Sequence, residues 1–153
     1  MIEAWRIERT IYRATAFTGE GARLYGGRWN SQGISLVYAA ENRSLAMLEI
    51  LVHMRKPKDY ELYSVQFDES LVRELRDENL PQNWDVEPPT MDTQEIGDNW
   101  VMSASSAVLS VPSAVVHEER NYILNPRHPD FKQIKVDGPF PCSFDPRLLG
   151  TKK

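Results

Sequence analysis

The apolar and polar positions of this chain divide it into short strands and a few helices. Ile2 to Ile7 reads as a first strand, and Ile11 to Phe17 continues in β-branched and aromatic residues before a glycine-rich turn from Thr18 to Gly21. Ile34 to Ala40 follows Gly33; this apolar run is too short for several helical turns and predicts a buried strand with Tyr38 near its end. Asn42 or Ser44 then caps a helix in which Leu45, Leu48, Leu51 and Val52 recur at three-to-four-residue spacing, and Pro57 ends it. Glu49 lies beside that stripe, which predicts a partly buried carboxylate.

Tyr60 to Phe67 alternates as a strand does, whereas Leu71 to Leu80 is charged and predicts a short surface helix, with Pro81 to Pro89 as a connector. Ile96, Trp100 and Val101 stand at helical spacing within Thr93 to Ser103, and Val108 to Val111 enters another strand. Pro112-Ser113 interrupts the apolar run Ala107 to Val116. Proline in strands is confined largely to edges, ends and bulges, so Ser113 is displayed at a strand break. Asn121 to Leu124 makes a further strand that stops at Asn125-Pro126, and Ile134 to Val136 makes the last. No repeat or inter-domain linker interrupts this mixed order, which predicts a single α+β domain over residues 1–150 with 151–153 as a tail.

Composition narrows the function. The 153 residues are 41% hydrophobic and 26% charged, as in a globular protein able to bury a real core. Lys and Arg total 18 against 22 Asp and Glu, a net charge of −4 that disfavours broad electrostatic binding of nucleic acid, so any anion site is local. One cysteine, Cys142, makes no internal disulfide, and His53, His117 and His128 are too scattered to suggest a metal site. No apolar run near the N-terminus is long enough for a secretion signal or a membrane span, which leads us to expect a cytoplasmic protein.

The densest candidate chemistry is Gly26-Gly27-Arg28-Trp29-Asn30-Ser31-Gln32-Gly33, followed by Tyr38 and by Leu45-Ala46-Met47-Leu48-Glu49. Flanking glycines let a backbone turn tightly and approach a ligand, and a guanidinium there meets a phosphate in two bonds at once. With a phenol and a carboxylate close behind, these are the residue types that hold an anionic nucleotide and stabilise a sugar cation. A hairpin Arg paired with a surface acid, a core Tyr and a solvated helix Glu are the bland alternatives for the same residues.

Taken together, Gly27-Arg28-Trp29-Asn30 with Gly33, Tyr38-Ala39, Leu45 to Glu49 with His53, Val111-Pro112-Ser113 and Asn121-Tyr122 with Asn125-Pro126 resemble the RES-domain toxins of bacterial type II toxin-antitoxin systems. The resemblance covers nearly the whole chain, and the Arg, Glu and Ser that name the family fall on Arg28, Glu49 and Ser113. It implies an ADP-ribosyltransferase-like fold, with a mostly antiparallel, split β-sheet and flanking helices around a cleft for NAD+. It also implies a helix-turn-helix (Xre-type) antitoxin that occludes the cleft, a homodimer, and NAD+ as substrate with no metal.

On that reading NAD+ loses nicotinamide and leaves an oxocarbenium-like sugar. Glu49 stabilises the charge, Arg28 grips the pyrophosphate or the adjacent ribose, and Tyr38 stacks on the ring or bonds the substrate. Ser113 is expected to bond substrate and not to act as a nucleophile, since no His and acid pair is evident for it. Asn121 and Asn125 shape the same wall or serve the backbone, and His53, one turn from Glu49, bonds its carboxylate or a neighbouring strand, or is simply a satisfied, partly buried residue. Water or phosphate then attacks the sugar, and growth stops as NAD+ is lost. The alternatives are transfer of ADP-ribose to a protein and a non-enzymatic interaction module in which Arg28 and Glu49 pair. A nuclease is disfavoured by the lack of a basic stripe or a carboxylate cluster.

Overall fold

The computed structural model describes residues 1–150, so the tail at 151–153 lies outside the described residues. Seven strands form one sheet: β1 (Ile2–Arg9), β2 (Val37–Ala40), β3 (Tyr60–Phe67), β4 (Val72–Glu74), β5 (Val108–Pro112), β6 (Arg120–Leu124) and β7 (Lys135–Cys142). Their order is β4-β5-β6-β2-β1-β3-β7, antiparallel at every step except β4–β5. Among the described residues three α-helices accompany it: α1 (Glu20–Tyr25), α2 (Arg43–Leu51) and α3 (Met91–Ser103). The fold is α+β, mixed and mostly antiparallel, as the sequence predicts.

The sheet is split. β1 registers against β3 along its whole length, from Ile2 with Phe67 to Arg9 with Tyr60, but against β2 only at Trp5 with Ala40. Arg6 bridges the divergent halves, donating to the carbonyls of Tyr38 at 3.0 Å and Ala16 at 2.7 Å and pairing with Glu8 at 2.8 Å. Burial pulls the Arg6 guanidinium below its ordinary pKa, and the Glu8 charge opposes that pull. Backbone carbonyls and one carboxylate thereby satisfy a charge that is costly to desolvate.

Alternation along the strands separates two faces, and a further buried cluster joins Ile7 and Ala40 to Leu45 and Ala46 of α2. Ala4, Val37, Ala39, Val65, Phe67, Val108 and Leu124 share one face, whereas Leu109, Val111 and Ile123 face the other and pack with Trp29, Leu36 and Trp100. The second face carries α3, whose buried Thr93, Gly97 and Trp100 recur at helical spacing. Gly97 lies against the Trp29 backbone so closely that a Cβ there would fall 1.6 Å from the Trp29 carbonyl oxygen. None of the helices among the described residues is long and apolar enough to cross a membrane.

Several elements differ from their sequence-based expectation. Thr10–Thr15 is a 3-10 helix and not the continuation of a strand; Ile11 is 67% exposed, so β propensity had no packed surface to act on. The turn expected at Thr18 to Gly21 is present through Gly19, at φ +78°, but its last two residues already belong to α1. Leu71 to Leu80 contains no α-helix: β4 adds in parallel beside β5, and Asp77–Asn79 is one 3-10 turn. α2 stops at Leu51, before Pro57, and buries Leu45 and Ala46 while Leu48 and Val52 face outward, so its apolar stripe is rotated from the expected one. β7 runs well past Val136, crossing Gly138 and two prolines, which an edge strand tolerates because its outer amides need no partner.

The Gly97 contact generates a stability prediction. Gly97→Ala forces helix and hairpin apart and is expected to cost about 3 kcal/mol, the upper part of the usual overpacking range. Chemical denaturation measures this, and an unchanged midpoint would show that α3 does not seat on Trp29 as described.

Candidate functional site

β2 leads into α2 through a two-residue link, and Asn42 caps the helix by accepting the Leu45 N–H at 2.7 Å. Asn42 also donates to Glu119 at 3.1 Å, and Glu41 accepts the Arg120 N–H at 2.7 Å. These bonds dock the helix start on the β5–β6 connection. Two turns on, half-buried Glu49 returns to the same connection. Its Oε2 accepts from Ser113 Oγ at 2.8 Å and from Asn121 Nδ2 at 2.6 Å.

Ser113 and Asn121 reach Glu49 from neighbouring strand ends, because Asn121 registers with Val111 on one side and Ala40 on the other. The Ser113 hydroxyl is fully buried; it donates to Glu49 and accepts the N–H groups of Val115 and Val116 at 3.0 and 3.1 Å. It therefore orients the carboxylate, and its proton goes to Glu49 in place of the substrate bond expected from sequence. The Asn121 amide is oriented by the same logic, since its oxygen turned toward Glu49 would set two acceptors together. That oxygen is buried without a partner among the described residues. His53 is exposed and takes no part in this arrangement; the donors to Glu49 are Ser113 and Asn121.

Arg28 stands at the tip of a tight hairpin closed by the Gly27 N–H to Asn30 carbonyl bond at 2.9 Å. Its guanidinium does not bond Glu49. Nη1 donates to the carbonyls of Trp84 at 2.9 Å and Val86 at 2.7 Å, and Nη2 pairs with Glu87 at 2.9 Å. The Arg28 side chain is 14% exposed and that of Glu87 60%, so the cation is enclosed while its partner borders solvent. The Pro81 to Pro89 connector is thus strapped down by Arg28.

Tyr38 lies on the same sheet face as Asn121, two residues before the Ala40 that registers with it. Its hydroxyl donates to Asn30 Oδ1 at 2.6 Å and accepts the Trp29 N–H at 3.2 Å. Asn30, which sequence reasoning did not single out, is fully buried and donates to the carbonyls of Ala22, Ser31 and Ile34. Gln94 adds a bond to the Gly27 carbonyl at 3.1 Å, and Asp98 accepts from Ser31 N–H and hydroxyl. The single signal for Asn30 was its place between Trp29 and Gly33, where an amide serves a turn. Asn125 accepts the Arg127 N–H at 3.0 Å, a backbone role. Among the described residues no group of three His, Cys, Asp or Glu side chains is placed to hold a metal ion.

The geometry thus gives a split-sheet α+β domain with a carboxylate clamped by Ser113 and Asn121 and, in a separate set of contacts, a guanidinium strapped to the Pro81 to Pro89 connector. Residues 3–145 match the RES domain family. A protein named Toxin Res from Yersinia enterocolitica is 40% identical over 148 residues, covering 94% of this chain and 97% of its own. A protein named Prs ADP-ribosylating toxin from Sphingobium sp. is 37% identical over 153 residues, covering 95% of each. The solved toxin-antitoxin complex MbcT-MbcA of M. tuberculosis includes a chain with the same fold, at a TM-score of 0.75 over 90% of this chain and 81% of that one, with 17% identity. The chain belongs to the RES domain family of toxins.

Tyr38 offers a test of the hairpin network. Burial lifts its phenol well above its ordinary pKa; the Trp29 N–H opposes this, Asp98 adds to it, and the Arg28 charge opposes it again. A phenol harder to ionise in the folded state stabilises the fold fully below about pH 10, and that contribution fades as unfolded tyrosine ionises at higher pH. Tyr38→Phe is expected to lose about 1–3 kcal/mol at neutral pH, because Asn30 Oδ1 loses its donor. Its stability should then fall less steeply than the parent's between about pH 10 and 12; parallel pH curves would contradict this.

Proposed function

We propose that this toxin cleaves the bond between nicotinamide and ribose in NAD+. The observation that carries the reading is Glu49, whose Oε2 is fixed by two donors while Oε1 has no partner among the described residues. Oε1 is the oxygen available to a ribose hydroxyl. As the C–N bond breaks, its electron pair leaves with nicotinamide and positive charge grows on the sugar. A fixed carboxylate beside that carbon stabilises the charge without having to reorient. Water or phosphate then forms the new bond to carbon and releases a proton.

Ser113 and Asn121 act as positioning residues in this scheme. Arg28 holds the pyrophosphate by exchanging its Glu87 contact for a phosphate oxygen while keeping the strap carbonyls. Tyr38 sets the hairpin that presents Arg28 and lines the substrate side of the sheet face.

The relative named as an ADP-ribosylating toxin favours a second reading, in which a protein side chain and not water or phosphate takes the ADP-ribosyl group. The structural neighbour comes from a toxin-antitoxin complex, which supports an antitoxin partner for this chain; we assign it to the helix-turn-helix class, place the pair in the cytoplasm and expect the toxin to be a homodimer. Co-expression and mass determination of the complex test that assembly.

Free nicotinamide released from NAD+ by purified, antitoxin-free protein, with and without phosphate, tests the chemistry. Release is expected for the parent, and Glu49→Gln is expected to fold normally and lose at least about a hundredfold in kcat, the scale of removing one fixed electrostatic stabiliser. Labelled NAD+ in a cell lysate separates the two readings: label on protein favours transfer. No nicotinamide from folded protein under any of these conditions would remove both.

A further inference from the structure

A cleft of roughly 390 Å³ opens where the strap meets the end of β5. Its walls include Asp77, Leu80, Pro81, Trp84, Pro112 and His117. Trp84 and His117 are in contact, their ring centroids 5.0 Å apart at 55°, and His117 Nε2 lies 3.5 Å from Asp85. The indole is partly buried against the Trp29, Trp100 and Leu109 cluster, and the Arg28 bond to its carbonyl pins it further. This is a preset aromatic wall. Pro112, the last residue of β5 and the one before the Ser113 that holds Glu49, also lines the cleft.

Three features decide what fits. Ligand sites span about 300–1,000 Å³, and a cleft at the low end suits one ring with its sugar and not a whole dinucleotide. An indole face attracts a flat ring, and attracts a cationic one more strongly because its π-face is negative. The charged wall residue is Asp77, with Asp85 behind His117, and this polarity repels phosphate and favours a cation.

We propose that this cleft is the subsite for a pyridinium ring, the cationic base of NAD+, with Trp84 as the stacking residue and Asp77 as its charge partner. The inference rests on the NAD+ reading above and deepens it by assigning the base. It places the pyrophosphate away from the acids, toward Arg28 across the strap. It also gives nicotinamide an exit, because bond cleavage neutralises the ring and removes the attraction that held it.

The test uses free bases that cannot be cleaved, followed by NMR shifts and tryptophan fluorescence. 1-Methylnicotinamide, a cation, is expected to bind roughly 2- to 30-fold more tightly than neutral nicotinamide, the range of a cation over an aromatic face. Trp84→Ala should abolish that preference, Trp84→Phe should keep part of it, and the exposed Asp77→Asn should narrow it without touching the fold. Equal affinity for the two bases, no binding of either, or adenosine monophosphate displacing the cation with equal strength in parent and Trp84→Ala protein would overturn the assignment. Binding of the cation by protein that releases no nicotinamide from NAD+ would sink the proposed reaction alone. Cleavage without Trp84-dependent ring binding would sink this inference alone.

Discussion

The site depends on one carboxylate oxygen receiving two hydrogen bonds from different strands. Glu49 Oε2 collects Ser113 and Asn121; the Ser113 hydroxyl is also held by two backbone N–H groups, and the Asn121 backbone by strand register. A carboxylate held this way loses the side-chain freedom a helix Glu normally keeps, and its charge points where the fold directs it. The arrangement needs α2 to begin immediately after β2 and to dock on the β5–β6 connection. The Asn42 cap and the Glu41 and Glu119 bonds enforce that docking. The catalytic proposal thus rests on a cap and a register, both ordinary features of secondary structure.

β2 couples this carboxylate to the Arg28 side of the domain. Its four residues carry Tyr38, which fixes Asn30 and the hairpin, and Ala40, which registers with Asn121 and leads into α2. A shift in that strand would move both halves together. Since β2 meets β1 at one registered pair, the Arg6 bonds to Tyr38 and Ala16 supply much of what holds the seam. The half-buried Arg6 is structural, since its bonds go to two backbone carbonyls and Glu8.

What could be read from sequence follows from how local each determinant is. The α2 cap, the alternation of Tyr60 to Phe67, and the Pro112-Ser113 break all depend on neighbouring residues, and they appear where expected. The residue types of the family pattern identified Glu49 and Ser113, yet their mutual bond joins positions 64 apart, which no spacing rule encodes. β4 was read as a helix because its pairing with β5 is long-range and parallel, and a three-residue strand carries almost no pattern. The roles of Asn30, present in the family pattern, and of Gly97 are not legible in the sequence for the same reason: they lie in a close approach from elsewhere in the chain.

The strapped state of Arg28 alters what an anchoring guanidinium contributes. A free cation would gain the whole of a charge-assisted bond when phosphate arrives, whereas Arg28 already bonds two carbonyls and Glu87. The phosphate binding proposed for it would be an exchange, whose net gain is the difference between a dianionic partner and an exposed carboxylate. The two carbonyl bonds are not part of that exchange, and they hold Trp84 and the strap to the hairpin. In the proposed reaction Arg28 would therefore serve affinity less than alignment, by fixing where the pyrophosphate lies relative to the strap it holds.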